Sequence, residues 1–131
     1  MTGAGSGIGQ ATAQVLASRG ALVSLGDINK AGLDETLKIL SGEGHFGTVV
    51  DVSNHESVDA WIEETTKRLG GLHGAANVAG VEREGLRRLA DSRDEDWDFT
   101  MNVNAKGVFF CMRAQLRKML KGGGGSIVSI P

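Results

Sequence analysis

At 131 residues, with 40% hydrophobic and 23% charged side chains, the chain is long enough for one packed domain and too short for two. Its formal net charge of −2 excludes the basic field that would recruit nucleic acid or an anionic membrane surface. No apolar run approaches the ~18 residues of a membrane span, and the single Cys111 cannot close an internal disulfide, so a reduced, cytoplasmic protein is expected.

Short apolar runs alternate with helix-period segments, the pattern of βαβ units around a parallel sheet. The spacing predicts a helix from Ile8 to Arg19 with Ile8, Ala11, Val15 and Leu16 inward and Gly20 as its stop. Ala21–Gly26 reads as a buried strand ending at Asp27, and Asn29 to Leu40 as a second helix with Leu33, Leu37 and Leu40 on one face. His45–Val52 follows as a strand. Ser53 and Glu56 then have the spacing of a capping box, opening a helix with Val58, Trp61, Ile62, Thr65 and Leu69 inward.

Leu72–Val78 is the third strand, and the charged stretch Glu82–Arg93 reads as a solvated loop or short helix. Ser92 and Glu95 form a second capping-box pattern. The long helix they open carries Trp97, Met101, Ala105, Val108 or Phe109, Met112, Leu116 and Met119 or Leu120 at three-to-four spacing. Cys111 within it is read as a small buried apolar residue rather than a nucleophile. The run Lys121–Gly125 ends the helix, and Ser126–Ile130 is a fourth strand. No repeat or linker divides the chain, and no metal site is predicted.

The chemistry concentrates in Thr2–Gly9, which reads T-G-A-G-S-G-I-G. A helix start leaves its first N–H groups unpaired and partly positive, so a pyrophosphate can rest there, and glycines let the backbone approach it. Such a triplet alone occurs by chance in flexible loops. Here it opens an amphipathic helix, a strand follows, and that strand ends in an acid 18 residues after Gly9. Asp27 is placed to accept from ribose hydroxyls and to repel a 2′-phosphate, which favours NAD over NADP. It also suits a turn carboxylate capping the next helix, and the two roles are compatible.

With these motifs in order, the chain resembles the short-chain dehydrogenases/reductases. Thr2, Gly3, Gly7 and Gly9 match that family's T-G-x-x-x-G-x-G loop, with Ser6 and Ile8 inside it. Asp51-Val52 resembles its D-V pair at the adenine. Asn77-Val78-Ala79-Gly80 is similar to its N-N-A-G segment, with Val78 in place of the second Asn. Asn104 to Phe109 matches N-x-x-G-x-F, whose Asn holds a water of the proton relay, and the stretch ending at Ile130 is similar to the strand leading to the catalytic Ser.

The resemblance implies a Rossmann-type doubly wound parallel sheet, an α/β fold, over residues 1–131 as one partial nucleotide-binding domain. It implies a dinucleotide site of Thr2, Gly3, Ser6, Gly7, Ile8, Gly9, Asp27, Asp51, Val52, Asn77, Ala79 and Gly80, and an oxidoreductase interconverting secondary alcohols and ketones. Of the catalytic set only Asn104 is present. The family's Tyr acts as general acid/base beside a Lys and a Ser, and this sequence contains no tyrosine at all.

The sheet is therefore expected to be incomplete. Only Met1 stands before the Thr-Gly pair where the family has its central first strand, and the elements after the fourth strand are missing. Unpaired strand edges predict marginal folding or dependence on a partner. These 131 residues are expected to be inactive alone, with a non-catalytic dinucleotide binder or a partner-interfering protein as the alternative. A small-molecule substrate is expected only for a complete chain, and a homo-oligomer would form through the helix from Asp94 to Lys121.

Overall fold

Four short apolar runs pair as parallel strands in a computed structural model of the chain, which describes residues 1–82 and 88–130. Strand β1 (Ser24–Asp27) pairs with β2 (Phe46–Val49), and β3 (Gly74–Asn77) pairs with β4 (Ser126–Ser129). Thr2 bridges Gly26 on one side and Asn77 on the other. The order is thus β2, β1, the Met1–Thr2 segment, β3, β4.

Two residues, Met1 and Thr2, hold the centre of this order. Thr2 N–H donates to Ala76 O at 2.9 Å, and Met1 O accepts from Gly26 N–H at 2.8 Å. Both residues are buried. They set the register in which the glycine loop leaves the sheet.

Helices α1 (Gly7–Ser18) and α2 (Lys30–Ile39) pack with one apolar cluster, built around Ala4, Ala13, Ala17, Val23, Leu25 and Leu33. Helices α3 (His55–Leu69) and α5 (Val108–Met119) share the other, around Val52, Val58, Trp61, Ile62, Phe110 and Cys111. The expected faces of α2 and α3 are the buried ones. That of α1 is not: Ile8 and Val15 are 62% and 49% exposed, Ala11 and Leu16 are exposed too, and Gly9, Ala13 and Ala17 point inward instead. The helix lies too close to the loop and sheet for branched side chains, so the smallest residues at i, i+4 spacing form the contact face.

Neither expected capping box forms. Asn54, not Ser53, caps α3, its Oδ1 accepting from Glu56 N–H and Ser57 N–H, while Ser53 donates to Asp51 Oδ1. Helix α4 (Asp94–Met101) starts at Arg93 with no side-chain cap, and Arg93 pairs with Asp96 at 2.9 Å instead. An N-terminal turn already carrying Asp94, Glu95 and Asp96 is stabilised by its own charge against the helix dipole.

The long helix is three pieces. Between α4 and α5 lies a π-helical segment, Asn102–Gly107. The stripe read from the sequence is periodic as expected but faces outward: Trp97 is 64% exposed, Met101 38%, Met112 37% and Leu116 43%. Phe110, Cys111, Ala114, Gln115 and Met119 face the core. Periodicity sets the width of an apolar face, not which of two faces meets the sheet. Of the charged stretch, residues 83–87 lie outside the described residues, and Leu89–Asp91 form one exposed 3₁₀ turn.

Candidate functional site

The C-terminal ends of the parallel strands gather the predicted residues along one edge, the place where ligands bind in open α/β sheets. The glycine loop is held there rigidly. Thr2 Oγ1 accepts from Val78 N–H and Ala79 N–H at 3.1 and 3.2 Å. The buried Thr36 of α2 donates to Ala4 O at 2.8 Å and receives Gln10 Nε2 of α1 at 3.0 Å. Gly3 has φ +67°, and a Cβ on it would stand 2.7 Å from Ala79 N. On Gly9 a Cβ would stand 1.8 Å from Gly3 O. The backbone thus folds over itself at a distance only glycine permits.

At Gly7 the situation is reversed: a Cβ would meet nothing within 4 Å. Gly7 and Ile8 are exposed, and Ser6 at the N-cap makes no side-chain cap hydrogen bond. The first N–H groups of α1 therefore open onto free space, beneath a loop whose packing pins them. This is the arrangement an anionic pyrophosphate fits.

Asp27 closes one flank. Its two carboxylate oxygens accept from Gly5 N–H at 2.8 Å and Asn29 N–H at 2.9 Å. A carboxylate has about four acceptor positions, so capacity remains for hydroxyl donors. Asp51, exposed at the end of β2, accepts from Ser53 N–H and Ser53 Oγ, while the neighbouring Val52 side chain is buried against Gly107. Ala79 and exposed Gly80 form the opposite flank.

Two of the asparagines turn out to be fasteners. Asn77 is 1% exposed, with its amide paired to Gln115 in both directions: Nδ2 to Gln115 Oε1 at 3.1 Å, and Gln115 Nε2 to Asn77 Oδ1 at 2.7 Å. Asn104 Nδ2 donates to Val81 O at 2.9 Å, and its Oδ1 accepts from Val81 N–H at 2.8 Å. It clamps the chain leaving β3 onto the π segment. Such a segment departs from α-helical backbone pairing and is frequent at functional sites. Burial raises the Cys111 thiol pKa to about 11, as suits a core residue.

Sequence reading missed Gly5, Gly32 and Gln115. Gly5 supplies an N–H to Asp27, and a Cβ on Gly32 would stand 2.4 Å from Gly5 O, so α2 presses on the loop. A glutamine at the inward phase between Ala114 and Met119 was the available signal for Gln115. Among the described residues no group of three His, Cys, Asp or Glu is placed to hold a metal, and no helix is long and apolar enough to cross a membrane.

Comparison with known proteins identifies the family of this sheet. The family profile for short chain dehydrogenases matches residues 1–131. The short-chain dehydrogenase/reductase ABA4 of Pyricularia oryzae is 40% identical over 99% of the chain, which spans 49% of that protein. The 3-oxoacyl-[acyl-carrier-protein] reductase FabG of Thermotoga maritima is 37% identical over 99% of the chain and 53% of its own length. The crystal structure of levodione reductase superposes with a TM-score of 0.92 at 34% identity, over 98% of this chain and 51% of that one.

The fold is an incomplete α/β parallel sheet of the Rossmann type. The chain belongs to the short-chain dehydrogenase family, whose oxidoreductases use NAD(P). It spans about half the length of the relatives it matches.

Proposed function

We propose that these residues form the dinucleotide-binding half of an NAD-dependent oxidoreductase acting on a secondary alcohol or the matching ketone. The observation that carries this is the open start of α1 at Gly7, pinned by Gly3 and Gly9 and flanked by Asp27. Gly7, Ile8 and Gly9 would hold the pyrophosphate, Asp27 the adenosine ribose, and Asp51 the adenine. A bound nicotinamide supplies hydride transfer. Asn104 keeps the β3 exit against the π segment, leaving the strand end as a fixed wall.

With no tyrosine among the 131 residues, these residues alone do not move the substrate proton, so binding without turnover is the expected behaviour. Asp27→Arg tests the cofactor choice. It replaces an acceptor of ribose hydroxyls with a cation, so NADH affinity is expected to fall at least about tenfold while NADPH affinity rises. Equal loss of both, read by nucleotide fluorescence, would place Asp27 in the scaffold only.

A second reading, pairing with another copy or a relative, is favoured by the long helix. Its outward stripe of Trp97, Met101, Met112 and Leu116 is apolar. Acids crowd its start, at Asp94 and Glu95, and bases its end, at Arg117 and Lys121. Antiparallel packing of two copies would bury the stripe and set acid against base, an isologous contact. Size-exclusion chromatography is expected to show a dimer that Trp97→Glu/Leu116→Glu converts to monomer with the helical content retained.

A further inference from the structure

The peptide joining Ala4 to Gly5 is held at both ends. Its carbonyl, Ala4 O, accepts from the Thr36 hydroxyl at 2.8 Å, and its N–H, on Gly5, donates to Asp27 Oδ2 at 2.8 Å. The C=O and N–H of a trans peptide point in opposite directions. Thr36 on α2 and Asp27 at the end of β1 therefore fix one peptide plane between them. Ala4 and Thr36 are 0% exposed and Gly5 is buried, so water does not stand in for the Thr36 donor.

The neighbours are shaped for this contact. Gly32 and Thr36, four residues apart on α2, share the face turned to the loop. A Cβ on Gly32 would stand 2.4 Å from Gly5 O, and one on Gly5 would stand 3.0 Å from Asp27 Cγ. A threonine hydroxyl carries one proton, and two carbonyls lie within its reach, Ala4 O and, at 3.0 Å, Gly32 O. Gln10 Nε2 donates to the same hydroxyl oxygen at 3.0 Å. With that lone pair taken, the proton is directed to a carbonyl, the nearer being Ala4 O.

Glycine at residue 5 makes such a lock necessary. Because glycine adopts positive and negative φ about equally, a peptide released by Thr36 is free to turn over. Turning would withdraw the Gly5 N–H from Asp27 and present Ala4 O to the carboxylate. We propose that Thr36 is a positioning residue for the cofactor, its hydroxyl holding the Ala4–Gly5 peptide in the orientation that anchors Asp27 for the ribose hydroxyls. In the dinucleotide reading of this edge, on which this role rests, Thr36 governs the choice of nucleotide rather than the hold on the pyrophosphate. The start of α1 at Gly7 is pinned separately, by the close packing of Gly3 and Gly9.

Thr36→Val keeps the branched shape and removes the hydroxyl. NADH affinity, read by nucleotide fluorescence, is expected to fall about tenfold. NADPH affinity should change less than about twofold, since Asp27 does not serve a 2′-phosphate. Thr36→Ser, which restores the hydroxyl, should return NADH affinity to within about twofold of the unsubstituted chain. In a glycine-labelled chain followed by NMR, the Gly5 amide should exchange with deuterium at least about tenfold faster in Thr36→Val. The buried Gly107 of the π segment should keep its rate.

Equal loss of NADH and NADPH assigns Thr36 to general packing and overturns the proposal, as does unchanged NADH affinity in Thr36→Val. If Thr36→Val does not fold, Gln10→Leu removes the donor that directs the proton and leaves Thr36 in place. A several-fold loss confined to NADH there supports the role, and unchanged NADH affinity overturns it. If the unsubstituted chain binds no NADH at millimolar concentration, the proposed function fails, and Gly5 exchange alone decides the lock. Faster exchange in the variant supports the lock, and an unchanged rate overturns it.

Discussion

Gly9→Val is expected to abolish measurable NADH binding and to cost about 3 kcal/mol of stability, the upper end of what overpacking a core costs. The reason is geometric. A Cβ at residue 9 would lie 1.8 Å from Gly3 O and 2.6 Å from Gly3 C, both backbone atoms. Neither can move alone: a Cβ on Gly3 would itself be 2.7 Å from Ala79 N, and Thr2 beside it is tied to Val78 and Ala79. Relief therefore requires the loop to leave the sheet, taking the start of α1 with it.

Gly7→Ala is the matched control. Residue 7 has φ +50° and open space beyond it, so alanine costs only the ~1–2 kcal/mol of a left-handed backbone. Its methyl group would nevertheless stand where the anion is proposed to rest, so NADH affinity is expected to drop with most of the stability retained. Urea unfolding and nucleotide fluorescence on both variants separate the two effects. A Gly9→Val chain of unchanged stability would show that the loop can relax, contrary to the tight packing described.

Legibility in the sequence followed from how local each feature is. The glycine loop and the acid after it were readable because their chemistry depends on contiguous spacing and one strand length. So were the inward faces of α2 and α3, since Leu33, Val58, Trp61 and Ile62 leave one apolar side each. What the sequence does not carry is direction. On α5 both sides are apolar, Met112 and Leu116 on one and Phe110, Cys111 and Met119 on the other, and only the sheet decides which is covered. The π segment was hidden for a related reason: Asn102–Gly107 departs from α-helical pairing, and Val81, the partner that occupies Asn104, is 23 residues away. Asn77 was found by its motif, but its role was not, because that role belongs to a partner 38 residues along the chain.

That partnership leads to the second large effect. Gln115→Met is expected to destabilise the chain by about 2–4 kcal/mol, since it strands an amide oxygen and an N–H of Asn77 in a site without solvent. Asn77 and Gln115 are each 1% exposed, and apart from their mutual bonds the Asn77 side chain has, among the described residues, only Ser129 Oγ, at 3.3 Å. Asn77→Leu should cost a similar amount by stranding Gln115. The double variant Asn77→Leu/Gln115→Met removes both polar groups together, so its loss should fall short of the sum by about 2 kcal/mol, a coupling found for residues in one hydrogen-bonded network. Additive losses in urea unfolding would mean that the amides do not depend on each other. The pair also reaches the nucleotide edge. Asn77 is followed directly by Val78 and Ala79, whose N–H groups hold the Thr2 hydroxyl. Gln115→Met should therefore weaken NADH binding although its side chain lies inside the core, and the double variant should recover part of that affinity along with the stability.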